Sequence, residues 1–193
     1  MARQVVLAVV LLMIASVQAS AQTPPEVTIN YVTYGGSGCG YENTNYVLSN
    51  DYKTISFIFS GMAVTTDGSP ADKRKACQIS FSLNYPDGWS VSIGQVTGSM
   101  SVDIAKNSEG IFTTHFYFSG QSGTAIIERK IKGPKVGSFK ITDSFLTLLW
   151  SECNKAPNLN IKMVVTVEGE EAVMALDKFD PIFNLQWRQC PQN

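Results

Sequence analysis

Apolar and polar residues alternate with a period of two along most of the chain after residue 26. Successive side chains of a strand point to opposite faces of the sheet, so this alternation predicts strands with one buried face. Glycine, proline and short polar residues separate the alternating runs and favour turns. The predicted strands are 27–31, 55–60, 79–84, 89–96, 99–104, 112–118, 125–131, 138–142, 145–150, 159–167, 173–179 and 182–187. Many short strands at this spacing predict an all-β fold, a single β-sandwich.

One segment departs from the alternation. Ser69 stands in a helix-capping position, Pro70 would be the first helical residue, and Asp72 follows three residues after the cap. These signals predict one short helical segment near 70–76. An alternative places Asp67 and Asp72 on a calcium ion, but the run of alternating oxygen donors that such a loop needs is missing.

The first 21 residues have the features of a secretory signal peptide. Arg3 precedes an apolar run at 5–17, and small residues at 19 and 21 favour cleavage after Ala21 and before Gln22. The apolar run is shorter than the roughly 20 residues that span a bilayer. We therefore expect a signal peptide at 1–21, a single secreted sandwich domain at 22–193, and no membrane insertion after the signal is removed.

Secretion changes the interpretation of the cysteines, which are Cys39, Cys77, Cys153 and Cys190. Their even number and wide spacing predict two disulfide bonds that staple the domain. Three pairings are open. The sequential one, Cys39 with Cys77 and Cys153 with Cys190, closes loops about threefold shorter than the crossed one, and loop-closure entropy gives it a preference of about 1 kcal/mol.

Charge and chemistry exclude several classes of protein. A net charge of −1 without a long basic run gives no surface for nucleic acid. His115 is the single histidine and falls on the polar side of its predicted strand. No nucleophile motif or metal-ligand set is present in the sequence, so we predict no catalytic residue, no metal ligand and no cofactor. The remaining enzyme alternative is a glycosidase, although the carboxylates stand in turns or at strand ends.

Several aromatic residues suggest a surface for a sugar ring. Trp89 follows a turn and Tyr85 precedes it, so these two residues are candidates for glycan stacking. Other tyrosines near turns are Tyr41, Tyr46 and Tyr52. Trp150 and Trp187 each precede a cysteine by three residues within an apolar run, and we expect both in the core.

Five segments together resemble the secreted family known as domain of unknown function 4360. They are GSGCG at 36–40, SPADKRKACQISFSLNYPDGW at 69–89, FYFSG at 116–120, LLWSEC at 148–153 and NLQWRQC at 184–190. The resemblance implies a secreted β-rich domain with two disulfides and carries no catalytic residues to transfer. The chain departs from the family pattern at the proline-free step from Cys39 to Gly40, and at the charged Glu152 and Lys155 beside Cys153.

These observations favour a secreted, non-catalytic extracellular protein with a structural or interaction role at a cell surface or matrix. The partner is an unidentified protein or glycan, since no residue discloses it. A carbohydrate-binding module is the alternative, and a glycosidase-like enzyme is the second alternative. The absence of an Asn-x-Ser/Thr acceptor leaves the faces of the domain without N-linked glycan, which suits self-association or partner binding.

Overall fold

The computed structural model describes residues 22–176 and 181–191, which fold into two antiparallel β-sheets. The predicted signal peptide, with Ala21, lies outside the described residues. The strands are β1 (Thr28–Gly35), β2 (Thr44–Leu48), β3 (Thr54–Phe59), β4 (Ala63–Thr65), β5 (Arg74–Asn84), β6 (Trp89–Ile104), β7 (Glu109–Phe118), β8 (Ala125–Lys132), β9 (Lys135–Ser144), β10 (Leu159–Glu168), β11 (Ala172–Leu176) and β12 (Ile182–Gln189). In the part of the chain that the structure describes, no helix is long and apolar enough to cross a membrane.

The first sheet has the strand order β1-β5-β10-β7-β8. The second sheet is organised around β6, a strand of 16 residues. One edge of β6 pairs with β9, and the other pairs first with β12 and then with β11. The path continues outward from β12 to β3 and β2, and from β11 to β4.

The core lies between the two sheets, where alternate residues of the strands meet. In β3 and β7 every second side chain is buried, as the alternation predicts. Phe57 lies at the centre of this core. Its ring centroid is 6.0 Å from that of Phe81 in the first sheet and 6.0 Å from that of Phe183 in the second, so it contacts both sheets. Burying side chains of this size contributes about 25 cal/mol for each Å² of apolar surface removed from water. The all-β sandwich predicted from the sequence is confirmed.

The predicted helical segment near 70–76 is wrong, because the chain forms only a turn before β5 begins at Arg74. The expected capping chemistry is present: the Asp72 carboxylate accepts hydrogen bonds from the Ser69 N–H at 3.0 Å and hydroxyl at 2.7 Å. The helix fails to propagate because Lys73 O accepts from Val167 N–H of β10 and Arg74 pairs with that strand. Backbone groups that already form hydrogen bonds in a sheet are no longer available for the hydrogen bonds of a helix.

Two further sequence predictions need correction. The runs predicted as strands at 89–96 and 99–104 form the single strand β6. The run 145–150, also predicted as a strand, is irregular. Within it Phe145 is buried against Phe116, with ring centroids 4.8 Å apart, whereas the side chain of Leu146 is fully exposed. The segment runs beside the first residues of β6, where Phe145 N–H donates to Gly94 O and Ser151 N–H donates to Val91 O, without the regular ladder of a paired strand.

Candidate functional site

Two disulfide bonds hold long loops against the sandwich. The structure pairs Cys39 with Cys77 and Cys153 with Cys190, the sequential pairing that loop closure favours. In both bonds the two Cα atoms lie 5.3–5.8 Å apart, within the usual range.

The Cys39–Cys77 bond holds the loop between β1 and β2 against β5. At Gly36, where φ is +140°, an added Cβ would lie 2.2 Å from the carbonyl oxygen of Ala76. Glycine is therefore required there both for the backbone conformation and for the close approach. Gly38 N–H donates to the same Ala76 carbonyl at 2.9 Å, which fixes the loop beside the disulfide.

A network of hydroxyl groups lies near the second disulfide. The Ser151 hydroxyl accepts from Val91 N–H and lies 3.0 Å from the hydroxyl of Tyr85. Ser90 donates its hydroxyl hydrogen to the Ser151 carbonyl at 2.6 Å. Burial raises the pKa of Tyr85, and its hydrogen bond with Ser151 acts in the opposite direction. These contacts attach the irregular segment after β9 to the end of β6.

The aromatic residues predicted near turns do not form one exposed strip. Of the five, Tyr41 is 70% exposed, and the other four are half-buried and pack against the core: Tyr46, Tyr52, Tyr85 and Trp89. The Tyr85 ring packs edge-on against a buried tryptophan, and its hydroxyl is occupied in the network described above. The ring and hydroxyl of Tyr85 are thus engaged within the protein, whereas Trp89 is partly exposed, and glycan stacking at these two residues stays a prediction.

A groove lined in part by Trp150 lies beside β12. It has a volume of about 330 Å³ and is lined by Gln22, Thr23, Lys53, Trp150, Leu185, Gln186 and Trp187; we call it the Trp150 groove. The core position predicted for Trp187 is confirmed, since that side chain is 7% exposed. Its indole N–H donates to Tyr52 O at 2.7 Å. Trp150, by contrast, is half-buried, and the guanidinium carbon of Arg188 lies 4.2 Å from its ring centroid.

The groove is not evident from the sequence, because the apolar run around Trp150 predicts a core position for that side chain. A signal was nevertheless present. Trp150 precedes Cys153 by three residues and Arg188 precedes Cys190 by two, so the second disulfide brings the indole and the guanidinium together. Gln22, predicted from the sequence as the first residue after cleavage, also lines the groove, and its side-chain oxygen accepts from Gln189.

The free edges of β1 and β2 lie together on one lateral side of the sandwich, which we call the uncharged side. Neither strand contains a charged residue. The ring of Tyr34 on β1 lies 5.5 Å from that of Tyr41, and burial raises the pKa of Tyr34 to about 12, with further contributions from Tyr46 on β2 and from Tyr41. Exposed apolar side chains on this side are Tyr31, Tyr41 and Val47.

The opposite lateral side is formed by β8 and β9 and is called here the charged side. The charged residues of these two strands are Glu128, Arg129, Lys130, Lys132, Lys135, Lys140 and Asp143. Arg129 of β8 forms a two-pronged ion pair with Asp143 of β9, so that a salt bridge connects the edges of the two sheets. Arginine suits this role because its fork matches a carboxylate.

Candidate catalytic groups remain scattered. His115 lies on the outward face of β7 across from Lys162 of β10; partial burial lowers its pKa, and the Lys162 charge adds to the effect. Glu109 and Glu168 are register partners at the end of a cavity of about 540 Å³, with Lys132 on the other flank of Glu109. Among the described residues, no three histidine, cysteine, aspartate or glutamate side chains are placed to hold a metal ion.

Comparison with solved structures gives only distant likenesses. The chain is similar to TmCBM61, a structure in complex with β-1,4-galactotriose, with 10% identity and a TM-score of 0.35 over 83% of this chain and 89% of that one. It is also similar to the family 11 carbohydrate-binding module from Clostridium thermocellum, with 10% identity and a TM-score of 0.24 over 87% of this chain and 90% of that one. Scores this low do not establish a shared fold.

Sequence comparison is more informative. An uncharacterized secreted protein of Arthroderma benhamiae (strain ATCC MYA-4681 / CBS 112371) is 29% identical over 187 residues, which cover 89% of this chain and 75% of that protein. This relative and the two disulfides agree with the predicted location, and the chain is a secreted protein. The model of the family described as domain of unknown function (DUF4360) matches residues 25–190. The chain belongs to that family.

Proposed function

We propose that this protein is a non-catalytic interaction protein that associates with a second copy of itself through the uncharged side. The observation that carries this proposal is the contrast between the two sets of strand edges. An edge strand offers unpaired backbone groups to another chain, and inserted charges are the usual protection. The β8 and β9 edges have such charges, whereas β1 and β2 have none.

A second copy is the partner that this surface favours. In a symmetric dimer the same patch meets itself, so a charged residue near the axis would face its own copy. The strands β1 and β2 themselves avoid that repulsion, and the loop that joins them contains one charged residue, the exposed Glu42 beside Tyr41. Exposed Val47 adds apolar surface on β2, and such surface is where protein partners bind.

The test is sedimentation equilibrium across a wide range of protein concentration. We expect reversible association, weakened at least about tenfold by Val47→Lys, because two lysines would meet across the contact. Val173→Lys is the matched control: Val173 is 47% exposed and Val47 is 53% exposed, but Val173 lies on β11, which has a partner strand on each side. A chain that stays monomeric, or equal effects of both substitutions, would contradict the proposal.

The absence of catalysis is tested separately. Purified protein is screened against polysaccharides, peptides and esters, and we expect no turnover. Turnover that is lost in Glu109→Gln or Glu168→Gln would instead support the glycosidase alternative, since these two carboxylates are register partners.

Cleavage before Gln22 and the division into a signal peptide (1–21) and one secreted domain (22–193) are also part of the proposal. N-terminal sequencing of secreted protein tests the cleavage position. A mature chain that begins within 23–27 or retains part of 1–21 would contradict it.

A further inference from the structure

The Trp150 groove has two indoles whose positions are fixed before any ligand arrives. Trp187 forms the floor, held by the hydrogen bond from its indole N–H to Tyr52 and by the Tyr85 ring at 5.1 Å. Trp150 is held by the guanidinium of Arg188 over its ring. Binding to such a site orders few additional side chains, which lowers the entropic cost of association.

The other lining residues combine amides, a hydroxyl and a cation. The amide side chains are those of Gln22 and Gln186, and Thr23 supplies the hydroxyl. The Gln186 amide offers a donor and an acceptor, and Gln22, whose oxygen accepts from Gln189, offers its N–H donors, so the two amides together can pair with ligand hydroxyl groups in either direction. Aromatic and apolar walls with a few polar groups are the usual composition of a small-molecule site.

The charge of the groove is positive. Lys53 is the charged residue among those that line it, and Arg188 stands behind the Trp150 ring. The hydrogen bond from the Ser49 hydroxyl is the main cause that lowers the pKa of the neighbouring Asp51 carboxyl, with a smaller contribution from the Lys53 charge. Among the described residues no carboxylate lies within ion-pair distance of Lys53 Nζ. An anionic ligand is therefore favoured over a cationic one.

We propose that the Trp150 groove binds a saccharide that carries a carboxylate, with the sugar ring against Trp150 and the carboxylate near Lys53. A uronic acid unit combines the three features that the lining residues complement: an apolar C–H face, ring hydroxyls and one negative charge. Indoles present a flat apolar face to such a ring. This site is separate from the uncharged side, so either proposal can fail without the other.

The experiment is calorimetric titration with α-1,4-linked trigalacturonate and, as the neutral comparison, maltotriose. We expect trigalacturonate to bind at least about tenfold more tightly, and added salt to reduce that advantage because it screens the Lys53 charge. Trp150→Ala should weaken binding of trigalacturonate at least about tenfold. Lys53→Met, which removes an exposed charge and leaves the core intact, should bring the affinity for trigalacturonate close to that for maltotriose.

Tyr117→Ala is the matched aromatic control, because Tyr117 is half-buried like Trp150 but lies on the outward face of β7 and does not line the groove. It should leave binding unchanged. Absence of binding to both sugars would overturn the proposal, and so would undiminished binding by Trp150→Ala. Equal affinity for the two sugars would overturn the role of the carboxylate. If Trp150→Ala proves unstable in a thermal melt, Lys53→Met and the salt dependence decide the result.

Discussion

The uncharged side and the charged side lie at opposite lateral ends of the sandwich. Among the described strands, β8 and β9 each have one edge without a partner on the charged side, and β1, β2 and the three-residue β4 do on the uncharged side. On the charged side, Arg129 and Asp143 connect the sheets, and lysines stand along both edges. On the uncharged side, half-buried Tyr34 and Tyr46 take the corresponding place between β1 and β2.

The difference shows that the two ends of one core can be covered either by an ion pair or by aromatic side chains. The two solutions differ in how easily another chain can pair with the exposed strand edges. A salt bridge between exposed groups contributes little to stability, about 0–1 kcal/mol, but the charges around it oppose strand addition. Aromatic side chains bury more apolar surface and leave the backbone edge accessible. The contrast therefore predicts that a disulfide and apolar packing hold the uncharged side, and that ion pairs contribute to the charged side.

The largest effect is expected from the disulfide on the uncharged side. The Cys39–Cys77 bond closes a separation of 38 residues, so removing it with serine at both positions should lower the free energy of unfolding by about 4 kcal/mol in the chain-entropy model. Guanidinium denaturation measures the loss, and hydrogen exchange should show the amides of β1 and β2 opening first.

The second disulfide supplies the control for that experiment. Cys153–Cys190 closes a separation of 37 residues, so chain entropy predicts an equal loss of stability. The exchange pattern should differ, with protection retained in β1 and β2. If the two double variants show the same local opening, the first disulfide has no special role on the uncharged side.

A smaller effect is expected on the charged side. Arg129→Gln should lower the free energy of unfolding by no more than about 1 kcal/mol, because the Arg129 side chain is 43% exposed and solvent screens the pair. Lys130→Gln is the matched control: its pair with Glu128 spans 3.6 Å between two half-exposed groups, and we expect a change below about 0.5 kcal/mol. A loss near 3 kcal/mol in Arg129→Gln would mean that the salt bridge, and not the packing, closes this side.

The core and most strands were accessible from the sequence because they follow a local rule, whereas β2 and β4 were not predicted. Alternation places Phe57, Phe81 and Phe116 on inner faces whatever the order of the strands. The failures involve contacts between distant segments. The capping signal at Ser69 and Asp72 is real, but pairing of β5 with β10 decides the outcome. Local propensity gives way when tertiary contacts compete for the same backbone groups.

The candidate surfaces were less accessible for the same reason. The lack of charge in 28–35 and 44–48 is visible in the sequence, but only the sheet order shows that these segments are edges. Similarly, Trp150 meets Arg188 only because the second disulfide joins their segments. Apolar periodicity near a cysteine therefore did not distinguish a core tryptophan from one at a groove.

The ionisation of Tyr34 at alkaline pH provides a further test of the packing on the uncharged side. The pKa of Tyr34 is raised from 10.0 to about 12, chiefly by burial. The folded protein therefore holds the neutral phenol more firmly than the unfolded chain does. This difference stabilises the fold below about pH 10 and is lost as the pH rises through 12. Ultraviolet titration should show one phenol ionising near 12, and Tyr34→Phe should remove that step. A native protein without a step near 12 would contradict the packing of this side.

The smallest effect is expected next to the charged side, at His115. Its neighbours across the sheet are Lys162 on β10 and Ile126 on β8, and partial burial followed by the Lys162 charge lowers its pKa. A histidine whose folded pKa is depressed stabilises the protein above its unfolded pKa of about 6.5, and the contribution is lost as the pH falls through the folded value.

Stability measured by denaturation should therefore decline as the pH falls from about 7 towards 5, and His115→Gln should reduce that slope. Lys162→Met should raise the pKa of His115 in the folded protein towards its unfolded value and so make the decline smaller, because it removes the second cause of the depression and leaves burial in place. A slope that is identical in all three proteins would mean that carboxylates elsewhere, and not His115, set the acid sensitivity of this sheet.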